Sequence, residues 1–314
     1  MESDRLRVER ALLDAVTTSD PYLTEIASHL ISAGGKRLRP VFTLAGSLVG
    51  IDGPASESAI SGGISCELVH LGSLYHDDVM DESTTRRGVD TVNAKWGNLQ
   101  AILAGDFLLA KASEIAASLG TEVAALLART IGRLCQGQIE ELRHTYNVSR
   151  TMSSYLVSID GKTASLYSTA ARIGGLVAGH DRSVVDALTA YGTAYGMVFQ
   201  IVDDVLDLTA TDAQLGKPAG HDMEEGVYTL PVLHELAAGG PAARELCSTL
   251  GKPLNESERL KVLDIVRSGT GVQVAIKAAQ SFVDDAERAC DSLPTGETTD
   301  AMRAAAAALL ASVS

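Results

Sequence analysis

Apolar residues recur every three or four positions along almost the whole chain, the spacing of helices that bury one face. Strand signals are nearly absent, since no alternating runs are bounded by Asn-Gly or Asp-Gly turns. The pattern predicts an all-α protein whose longer helices cover residues 57–83, 121–145, 153–178 and 183–209. No linker or low-complexity tract interrupts it, so we expect a single domain over residues 1–314.

Local signals predict where several helices begin and end. Pro40 is expected at the first position of a helix over residues 40–49, because that position needs no backbone donor. Asn255 with Glu258 predicts a capping box, and Gly269 predicts the end of the helix that follows. The last third of the chain is therefore expected to be helical as well.

The pattern Asp-Asp-x-x-Asp occurs at residues 77–81 and again at residues 203–207. Its first and last aspartates are four residues apart, so they share a helix face, where like charges repel. A hard cation relieves this repulsion, and Mg²⁺ usually takes one or two carboxylates plus substrate phosphates. We expect two facing acidic walls that hold a diphosphate through Mg²⁺, with two solvated acidic turns as the alternative. At Asp284-Asp285 the third carboxylate is replaced by Arg288, which indicates an ordinary solvated helix face.

Cations concentrate at two places in a chain whose formal charge is −14. Residues 35–40, Gly-Lys-Arg-Leu-Arg-Pro, place three of them at a predicted helix start, where backbone N–H groups already favour anions. Arg86 and Arg87 follow the first acidic motif, and guanidinium groups suit phosphate oxygens. A diphosphate-binding role is the functional interpretation. A solvated basic loop and simple salt bridges to the aspartates are the alternatives.

Residues 161–163, Gly-Lys-Thr, fall in the middle of a predicted helix. A glycine inside a helix is costly and often marks a kink or a close approach. Lys162 at such a bend is expected to point into a cavity, with an ordinary surface lysine as the alternative.

Composition narrows the class further. Hydrophobic residues make up 46% and aromatic residues 4%, so the core is aliphatic, and 40 acidic against 26 basic residues argue against a nucleic-acid surface. The four cysteines form no CxxC pattern and are expected to be buried free thiols in a reducing cytosol. No apolar run reaches transmembrane length, and the first ten residues lack the apolar segment of a signal peptide. These features predict a soluble cytoplasmic protein.

Taken in order, these segments resemble the trans-polyprenyl diphosphate synthase family over about residues 30–235. The family signature combines GGK-x-x-RP, DDxxD, RRG, GKT, FQ-x-x-DDxxD and GKPxGxD, and all six motifs occur here in that order. Each motif alone is weak, whereas the ordered set is highly specific. The resemblance implies an isoprenoid-synthase-type helical bundle around a deep central cavity, usually in a homodimer.

The resemblance also implies the reaction and its cofactor. Isopentenyl diphosphate would condense with an allylic diphosphate, farnesyl or geranylgeranyl diphosphate, to give a linear all-trans product, with about three Mg²⁺ ions per active site. The metals and cations favour ionisation of the allylic C–O bond, and the departing diphosphate takes the proton. An aliphatic cavity excludes water, which would quench the allylic cation. The enzyme is expected in the cytoplasm, peripheral to the membrane when it releases product.

Individual positions take their expected roles from the same resemblance. The Mg²⁺ ligands are expected among seven carboxylates, of which Asp78, Asp204 and Asp207 would act directly or through metal-bound water: Asp77, Asp78, Asp81, Glu141, Asp203, Asp204 and Asp207. Isopentenyl diphosphate is expected to contact Lys36, Arg39, His70 and Arg87. The allylic diphosphate is expected to contact Arg86, Lys162 and Lys217. Thr163 and Gln200 are expected to stabilise the carbocation, which makes the catalytic set Lys162, Thr163, Gln200 and Asp203.

Product length in the family depends on the helical turn before the first acidic motif, here Gly72 and Ser73. These residues lie about 7 Å from Asp77 along the helix, where short-chain synthases place aromatic side chains as a floor. Small residues therefore predict a long product of about C30–C50. Tyr75 and Phe107 are further candidates for narrowing the cavity. A glycine that only permits close helix packing is the alternative for Gly72.

Three other functions stay open at this point. A short-chain geranylgeranyl or farnesyl diphosphate synthase differs only in the cavity floor. A class I terpene synthase normally lacks the complete second acidic motif and the basic segment 35–39, both of which are present here. A non-catalytic subunit of a heteromeric synthase tends to lose aspartates, and here all six are kept. Val227 stands where the family commonly has a lysine for the allylic diphosphate, which keeps the subunit alternative open.

Overall fold

The computed structural model describes residues 2–211 and 218–313. Its helices are, in chain order, α1 (Glu2–Val16), α2 (Pro21–Ser32), α3 (Leu38–Leu48), α4 (Glu57–Met80), α5 (Val92–Trp96), α6 (Asn98–Ser118), α7 (Thr121–Leu142), α8 (Met152–Ile159), α9 (Ser165–Val177), α10 (Arg182–Thr209), α11 (His221–Glu224), α12 (Leu230–Ala238), α13 (Gly240–Thr249), α14 (Glu256–Ser268), α15 (Gly271–Cys290) and α16 (Glu297–Ala311). A π-helical turn, Asp160–Ala164, joins α8 to α9. The chain is all-α, as the apolar periodicity predicts.

Most predicted helix boundaries agree with the structure, and one is wrong. The capping box at Asn255 is present, with Glu258 as its second member, and α14 ends at Gly269. Pro40 does not open its helix, because α3 begins two residues earlier at Leu38. Arg37 precedes α3 with a left-handed φ of 52°, a backbone conformation that local sequence rules do not predict for arginine.

Two short strands, β1 (Thr85–Arg86) and β2 (Val89–Asp90), pair antiparallel directly after the first acidic motif. The sequence pattern does not predict this hairpin. Its two-residue turn has positive φ at both positions, 54° at Arg87 and 76° at Gly88, which is the geometry that two-residue hairpins favour. The hairpin therefore fixes Arg86 on a strand and Arg87 in a tight turn.

The first of two compact units comprises Met1–Ile131, Leu166–Gly192 and Ser292–Thr299. Helix α4 packs against α1, α3 and α6 within it. A Cβ atom placed on Gly72 would lie 3.0 Å from the backbone oxygen of Gly105, so the backbones of α4 and α6 approach closely at this point. The structure thus shows the close packing that stands as the alternative interpretation of Gly72.

The second unit comprises Gly132–Ser165, Thr193–Asp291 and Asp300–Ser314. Helix α12 packs against α8, α13, α14 and α15 within it. The buried carboxylate of Glu235 accepts hydrogen bonds from the backbone N–H groups of Thr270 and Gly271 at 2.7 and 2.6 Å and so caps the start of α15. The single domain expected over the whole chain stays a prediction.

The kink predicted at Gly161 is confirmed as the π-helical turn. Such turns often occur at functional sites. A Cβ atom placed on Gly137 of α7 would lie 2.4 Å from the backbone nitrogen of Lys162, so α7 and the turn are in backbone contact. This contact fixes the position from which the Lys162 side chain projects.

The expectation of four buried thiols is wrong for two of them. Cys66 and Cys290 are buried, whereas Cys135 and Cys247 are exposed, and all four are free. Burial raises the pKa of the Cys66 thiol to about 12, so it stays protonated. Within residues 2–211 and 218–313, no helix is both long and apolar enough to cross a membrane.

Candidate active site

Two of the residues expected to bind isopentenyl diphosphate meet in the first unit. Nη1 of Arg39 lies 3.4 Å from Nε2 of His70, and the Arg39 guanidinium lies 4.5 Å from the centre of the Tyr167 ring. The Nε atom of Arg39 is buried and has no hydrogen-bond partner among the described residues. Arg39 is therefore held in place by an aromatic ring and keeps an unused donor.

His70 is a neutral group in this environment. Burial is the largest cause that lowers its pKa well below the usual value, and the positive charges of Arg39 and Arg87 add to it. Because a guanidinium only donates, Nε2 of His70 accepts from Arg39, and Nδ1 then carries the proton. Neutral His70 thus offers one N–H donor to an anion without adding charge.

The neutral state of His70 gives a testable pH dependence. Because the pKa of His70 is lowered in the folded protein, the unfolded chain takes up a proton first as the pH falls below about 6.5. The free energy of unfolding is therefore higher above this pH and decreases below it. The variant His70→Gln keeps a neutral side chain that does not titrate, so its melting temperature should fall less between pH 7 and pH 5 than that of the wild type. Thermal unfolding at a series of pH values measures this, and equal losses of stability in acid for both proteins would contradict a neutral His70.

The first acidic motif divides its carboxylates between the surface and the interior. Asp77 is half-buried and Asp81 is exposed at the end of α4, while Asp78 is buried. Asp78 accepts a hydrogen bond at 2.6 Å from Nε of Arg86, and burial raises the pKa of the Asp78 carboxyl despite that neighbour. In this arrangement Asp78 orients Arg86, and direct metal ligation by Asp78 stays a prediction.

The second motif, in the second unit, repeats this division. Asp203 is exposed, and the next residue, Asp204, is buried. The Asp204 carboxylate accepts a very short hydrogen bond from the Tyr155 hydroxyl and one of 2.8 Å from Nε2 of Gln200. Burial is the main cause that raises the pKa of Asp204 well above its usual value, and the negative charge of Asp222 raises it further. Asp204 is thus a buried acceptor inside a hydrogen-bond network.

The third carboxylate of the second motif differs from that of the first. Asp207 is buried, whereas Asp81 is exposed. The backbone N–H of Gly220 donates to the carbonyl oxygen of Asp207 at 2.8 Å. The backbone N–H of Asp222 donates to Oδ2 of the Asp207 side chain at 3.4 Å. The segment that follows α10 therefore covers this end of the motif. Lys217, expected to bind the allylic diphosphate, lies outside the described residues.

The structure brings together four further residues that the resemblance singles out. Lys162 donates to Oε1 of Glu141 at 2.6 Å, and the Thr163 hydroxyl donates to Oε1 of Gln200 at 2.7 Å. Because Gln200 in turn donates to Asp204, the π-helical turn and the second acidic motif belong to one network. Glu141 can bind a metal ion only if its carboxylate contacts Lys162 and the metal ion at the same time, or if the hydrogen bond from Lys162 breaks.

Sequence reasoning did not find two residues of these networks. Tyr155 lies in an apolar stretch that reads as core, and nothing in the sequence marks its hydroxyl as the donor to Asp204. Glu67 is buried on α4, three residues before His70. Its signal is a glutamate inside the apolar run Ile64–Leu71, which general burial preferences make unusual.

The donor chemistry fits a hard divalent cation. The candidate ligands are all carboxylates, and Oδ2 of Asp78 is buried without a hydrogen bond from any part of the chain in residues 2–211 and 218–313. In the described part of the chain, no three or more histidine, cysteine, aspartate or glutamate side chains form a group that could hold a metal ion. Mg²⁺ typically takes only one or two protein carboxylates and completes its shell with water and substrate phosphates. The residues present therefore suit a metal that binds together with a diphosphate.

Comparison with known proteins decides the family. Residues 20–266 match the family model described as Polyprenyl synthetase. The chain belongs to the polyprenyl synthetase family. The chain is 37% identical over 289 residues to a nonaprenyl diphosphate synthase of Mycobacterium tuberculosis, covering 92% of this chain and 86% of that protein. It is 36% identical over 304 residues to heptaprenyl diphosphate synthase component 2 of Geobacillus stearothermophilus, covering 96% and 94%.

A solved structure of the family is also similar. The polyprenyl synthase of Caulobacter crescentus, a complex with calcium and isoprenyl diphosphate, superposes with a TM-score of 0.92 at 31% identity, covering 98% of this chain and 94% of that one. The resemblance in the sequence and the isoprenoid synthase fold are thereby confirmed. Members of this polyprenyl synthetase family are prenyltransferases that use a divalent metal ion.

Proposed function

We infer that the chain elongates an allylic diphosphate with isopentenyl diphosphate and makes a linear, long-chain all-trans polyprenyl diphosphate. Of the two relatives described above, one is named a nonaprenyl diphosphate synthase and the other is component 2 of a heptaprenyl diphosphate synthase, which supports a long product of about C30–C50. The order of the six motifs within the family match supports the same reaction. A short-chain synthase and a non-catalytic subunit are not favoured.

The observation that carries this proposal is the placement of charge around the first acidic motif. Asp77 and Asp81 lie at the end of α4, and the β hairpin that follows presents Arg86 and Arg87. Carboxylates for a cation and guanidinium groups for phosphate oxygens are thus adjacent, in a chain of net charge −14. Such an arrangement suits a diphosphate better than it suits a solvated acidic turn.

Isopentenyl diphosphate binds the cationic group Lys36, Arg39, His70 and Arg87 in this proposal. The unused Nε donor of Arg39 and the neutral N–H of His70 support this role. The diphosphate of this substrate keeps its bond to carbon throughout the reaction. The group is therefore expected to position the double bond of the substrate and not to assist bond breaking.

The allylic diphosphate engages Arg86, Lys162 and Lys217, with Mg²⁺ as the divalent ion and about three ions per active site. The carboxylates proposed as direct ligands are the more accessible ones, Asp77, Asp81 and Asp203, together with Glu141. When bound, the metal ions act as Lewis acids on the diphosphate.

This chain's own residues act on the carbon skeleton and on the leaving group. Lys162 donates to diphosphate oxygens as the allylic C–O bond breaks and its electron pair leaves with the diphosphate. The carbonyl oxygen of Gln200 and the hydroxyl oxygen of Thr163 present partial negative charge to the allylic cation. The double bond of isopentenyl diphosphate attacks that cation, a C–C bond forms, and the proton lost passes to the departing diphosphate.

Several expectations about the protein as a whole stay predictions. These are a homodimer, a cytoplasmic location, peripheral association with the membrane and weaker allylic binding because Val227 replaces a lysine. Val227 is half-buried beside α11, and its backbone N–H donates to the carbonyl of Asp222 at 2.8 Å. Asp222 in turn donates its backbone N–H to Oδ2 of Asp207 at 3.4 Å, so one hydrogen-bonded residue links position 227 to the second acidic motif.

The proposed function is tested by incubating purified protein with Mg²⁺, radiolabelled isopentenyl diphosphate, and farnesyl or geranylgeranyl diphosphate. Linear products of about six to ten isoprene units are expected, a range that includes the heptaprenyl and nonaprenyl products for which the two relatives are named. Cyclic hydrocarbons would identify a terpene synthase, and the absence of any elongation would indicate a subunit that needs a partner.

A paired substitution separates the two candidates for control of chain length. Phenylalanine at Gly72 would meet the backbone of α6, so Gly72→Phe should destabilise the fold by about 1–3 kcal/mol through overpacking. Ser73 is half-buried, and Ser73→Phe should shorten the product while the melting temperature stays near that of the wild type. Product chromatography and thermal unfolding measure the two effects. An unchanged product from Ser73→Phe would remove this turn of α4 from the control of length.

Tyr75 and Phe107 remain weaker candidates for narrowing the cavity. Tyr75 is fully buried, and its hydroxyl donates to the carbonyl oxygen of Ile26 at 2.8 Å. It therefore ties α4 to α2, which gives it a structural reason to be large. Phe107 is half-buried on α6.

A further inference from the structure

Arg37 stands between two proposed substrate-binding residues but points into the protein. It is 2% exposed, whereas Lys36 is exposed and Arg39 is half-buried. All five of its N–H donors are used by the protein: Nε and Nη2 bond to Glu9 at 2.8 and 3.0 Å, Nη2 also to the Ile31 carbonyl at 2.8 Å, and Nη1 to the Gly34 carbonyl at 3.3 Å and to Glu67 at 3.2 Å. Arg37 therefore has no donor left for a diphosphate.

Arg87 converges on the same backbone segment from the β hairpin. Its Nη1 donates to the carbonyl oxygen of Leu30 at 3.0 Å and makes a very short hydrogen bond to that of Gly34. A Cβ atom placed on Gly35 would lie 2.9 Å from Nη1 of Arg87 and 3.0 Å from Nη1 of Arg37. The two guanidinium groups thus flank Gly35, directly before Lys36.

Both arginines hold unfavourable backbone conformations. Their φ angles are 52° for Arg37 and 54° for Arg87, in the left-handed region that non-glycine residues seldom occupy. Such conformations cost free energy and persist where the surrounding contacts enforce them. The hydrogen bonds of Arg37 to Glu9, Gly34 and Glu67, and of Arg87 to Leu30 and Gly34, are contacts of this kind.

Glu67 is the buried negative charge at this junction. It is 1% exposed, and its Oε1 accepts from Arg37. Burial lowers the pKa of the Arg87 guanidinium, and the negative charge of Glu67 is the largest influence that opposes this shift. Oε2 of Glu67 is buried and accepts no hydrogen bond from the residues that the structure describes. Glu9, the other carboxylate on Arg37, is about one-third exposed, so water screens it more.

We propose that Glu67 is a positioning residue that, through its ion pair with Arg37, holds the diphosphate-binding side chains of Lys36, Arg39 and Arg87 in register for isopentenyl diphosphate. This inference rests on the function proposed above. Glu67 lies one helical turn before His70 on α4, so the same helix carries the anchor and one of the proposed ligands. The carboxylate acts on substrate affinity through other residues and is not itself a substrate ligand, since a diphosphate would be repelled by it.

The variant Glu67→Gln tests the proposal, because it keeps the shape of the side chain and removes the negative charge that repels a diphosphate. If Glu67 positions the cationic group, KM for isopentenyl diphosphate should rise about tenfold, while KM for the allylic diphosphate and kcat stay within about twofold. If Glu67 only reduced the local positive charge, KM for isopentenyl diphosphate would fall. A lower or unchanged KM therefore overturns the proposal.

Two further variants separate positioning from loss of stability. Glu235→Gln removes another buried carboxylate, the cap of α15, and should lower the melting temperature without raising KM for isopentenyl diphosphate. Arg37→Lys keeps the charge opposite Glu67 but cannot reproduce five donors, so it should raise the same KM even if Glu67→Gln does not fold. An unchanged KM in Arg37→Lys overturns the proposal. If the wild-type protein does not elongate an allylic diphosphate at all, the proposed function is refuted. If the wild-type protein elongates and both Glu67→Gln and Arg37→Lys keep its KM for isopentenyl diphosphate, only this inference is refuted.

Discussion

Replacing Asp77 with asparagine should lower kcat for elongation on the order of 10²- to 10³-fold, which is the usual loss when one charge-stabilising group is removed from a transition state. Asp77 is the accessible first carboxylate of the first motif, whereas its neighbour Asp78 is buried against Arg86. The asparagine keeps size and polarity but loses the charge that a divalent cation requires. Because Asp77 is only half-buried, the melting temperature without metal should stay the same or rise slightly, as repulsion with Asp78 is relieved.

Steady-state kinetics and thermal unfolding of Asp77→Asn measure the two effects. Asp284→Asn is the matched control, because Asp284 belongs to an adjacent aspartate pair on the exposed face of α15 and accepts a hydrogen bond from Gln280 on the same helix. This control should retain wild-type kcat. Equal activities of the two variants would mean that the first motif is a solvated acidic turn and not part of the catalytic machinery.

Removing the hydroxyl of Tyr155 should have the second-largest effect. In Tyr155→Phe, the buried carboxylate of Asp204 loses the hydrogen bond from the hydroxyl group and keeps the one from Gln200. This loss should lower the free energy of unfolding by about 1–3 kcal/mol. We expect kcat to fall by roughly 10- to 100-fold, the usual loss when a group that orients a metal or substrate ligand is removed.

The stability loss in Tyr155→Phe should also depend on pH. Burial already raises the pKa of Asp204, so ionisation of this carboxyl destabilises the fold as the pH rises through that raised value. The Tyr155 hydroxyl favours the ionised form and opposes this effect. Its removal should therefore cost more at pH 8 than at pH 5, and urea unfolding at both pH values measures the difference.

Tyr228→Phe is the matched control for Tyr155→Phe. Tyr228 is fully buried in the same unit, and its hydroxyl accepts from the backbone N–H of Gly251 at 2.7 Å, a residue outside the Asp204 network. The control should lose stability and keep kcat. A kcat for Tyr155→Phe as high as that of Tyr228→Phe would contradict a role for the Asp204 network in catalysis.

The acidic motifs show how far the sequence alone reaches. Helical spacing predicts that the first and third aspartates share a face, and the position of both motifs late in long helices is confirmed for α4 and α10. The same spacing places the middle aspartate elsewhere on the helix but does not say what it meets. Burial of Asp78 and Asp204 depends on Arg86 and Tyr155, which come from a hairpin and a separate helix.

The basic segment shows where sequence reasoning stops. Lys36, Arg37 and Arg39 have the same charge and stand within four residues, so composition treats them alike. The left-handed conformation of Arg37 turns its side chain inward, and that conformation depends on tertiary contacts with Glu9 and Glu67. It also moves the start of α3 ahead of Pro40. One cation of the three is therefore structural, which the local pattern does not reveal.

For Gly72, the sequence allows two interpretations, an open cavity or close helix packing, and the structure is needed to choose between them. A small residue one turn before the first motif predicts an open cavity, and equally permits contact between helices. The distance of 3.0 Å from a Cβ at this position to the Gly105 oxygen favours the second interpretation for Gly72 and leaves Ser73 as the better candidate for control of length.

The central claim is that the carboxylates of both acidic motifs bind divalent ions together with a diphosphate. It is tested most directly by counting bound Mn²⁺ per chain by electron paramagnetic resonance, with and without inorganic pyrophosphate. We predict that pyrophosphate raises the number of bound ions to about three, and that both Asp77→Asn and Asp203→Asn lower it. Mn²⁺ binding that does not depend on pyrophosphate, or that either substitution leaves unchanged, would contradict the claim.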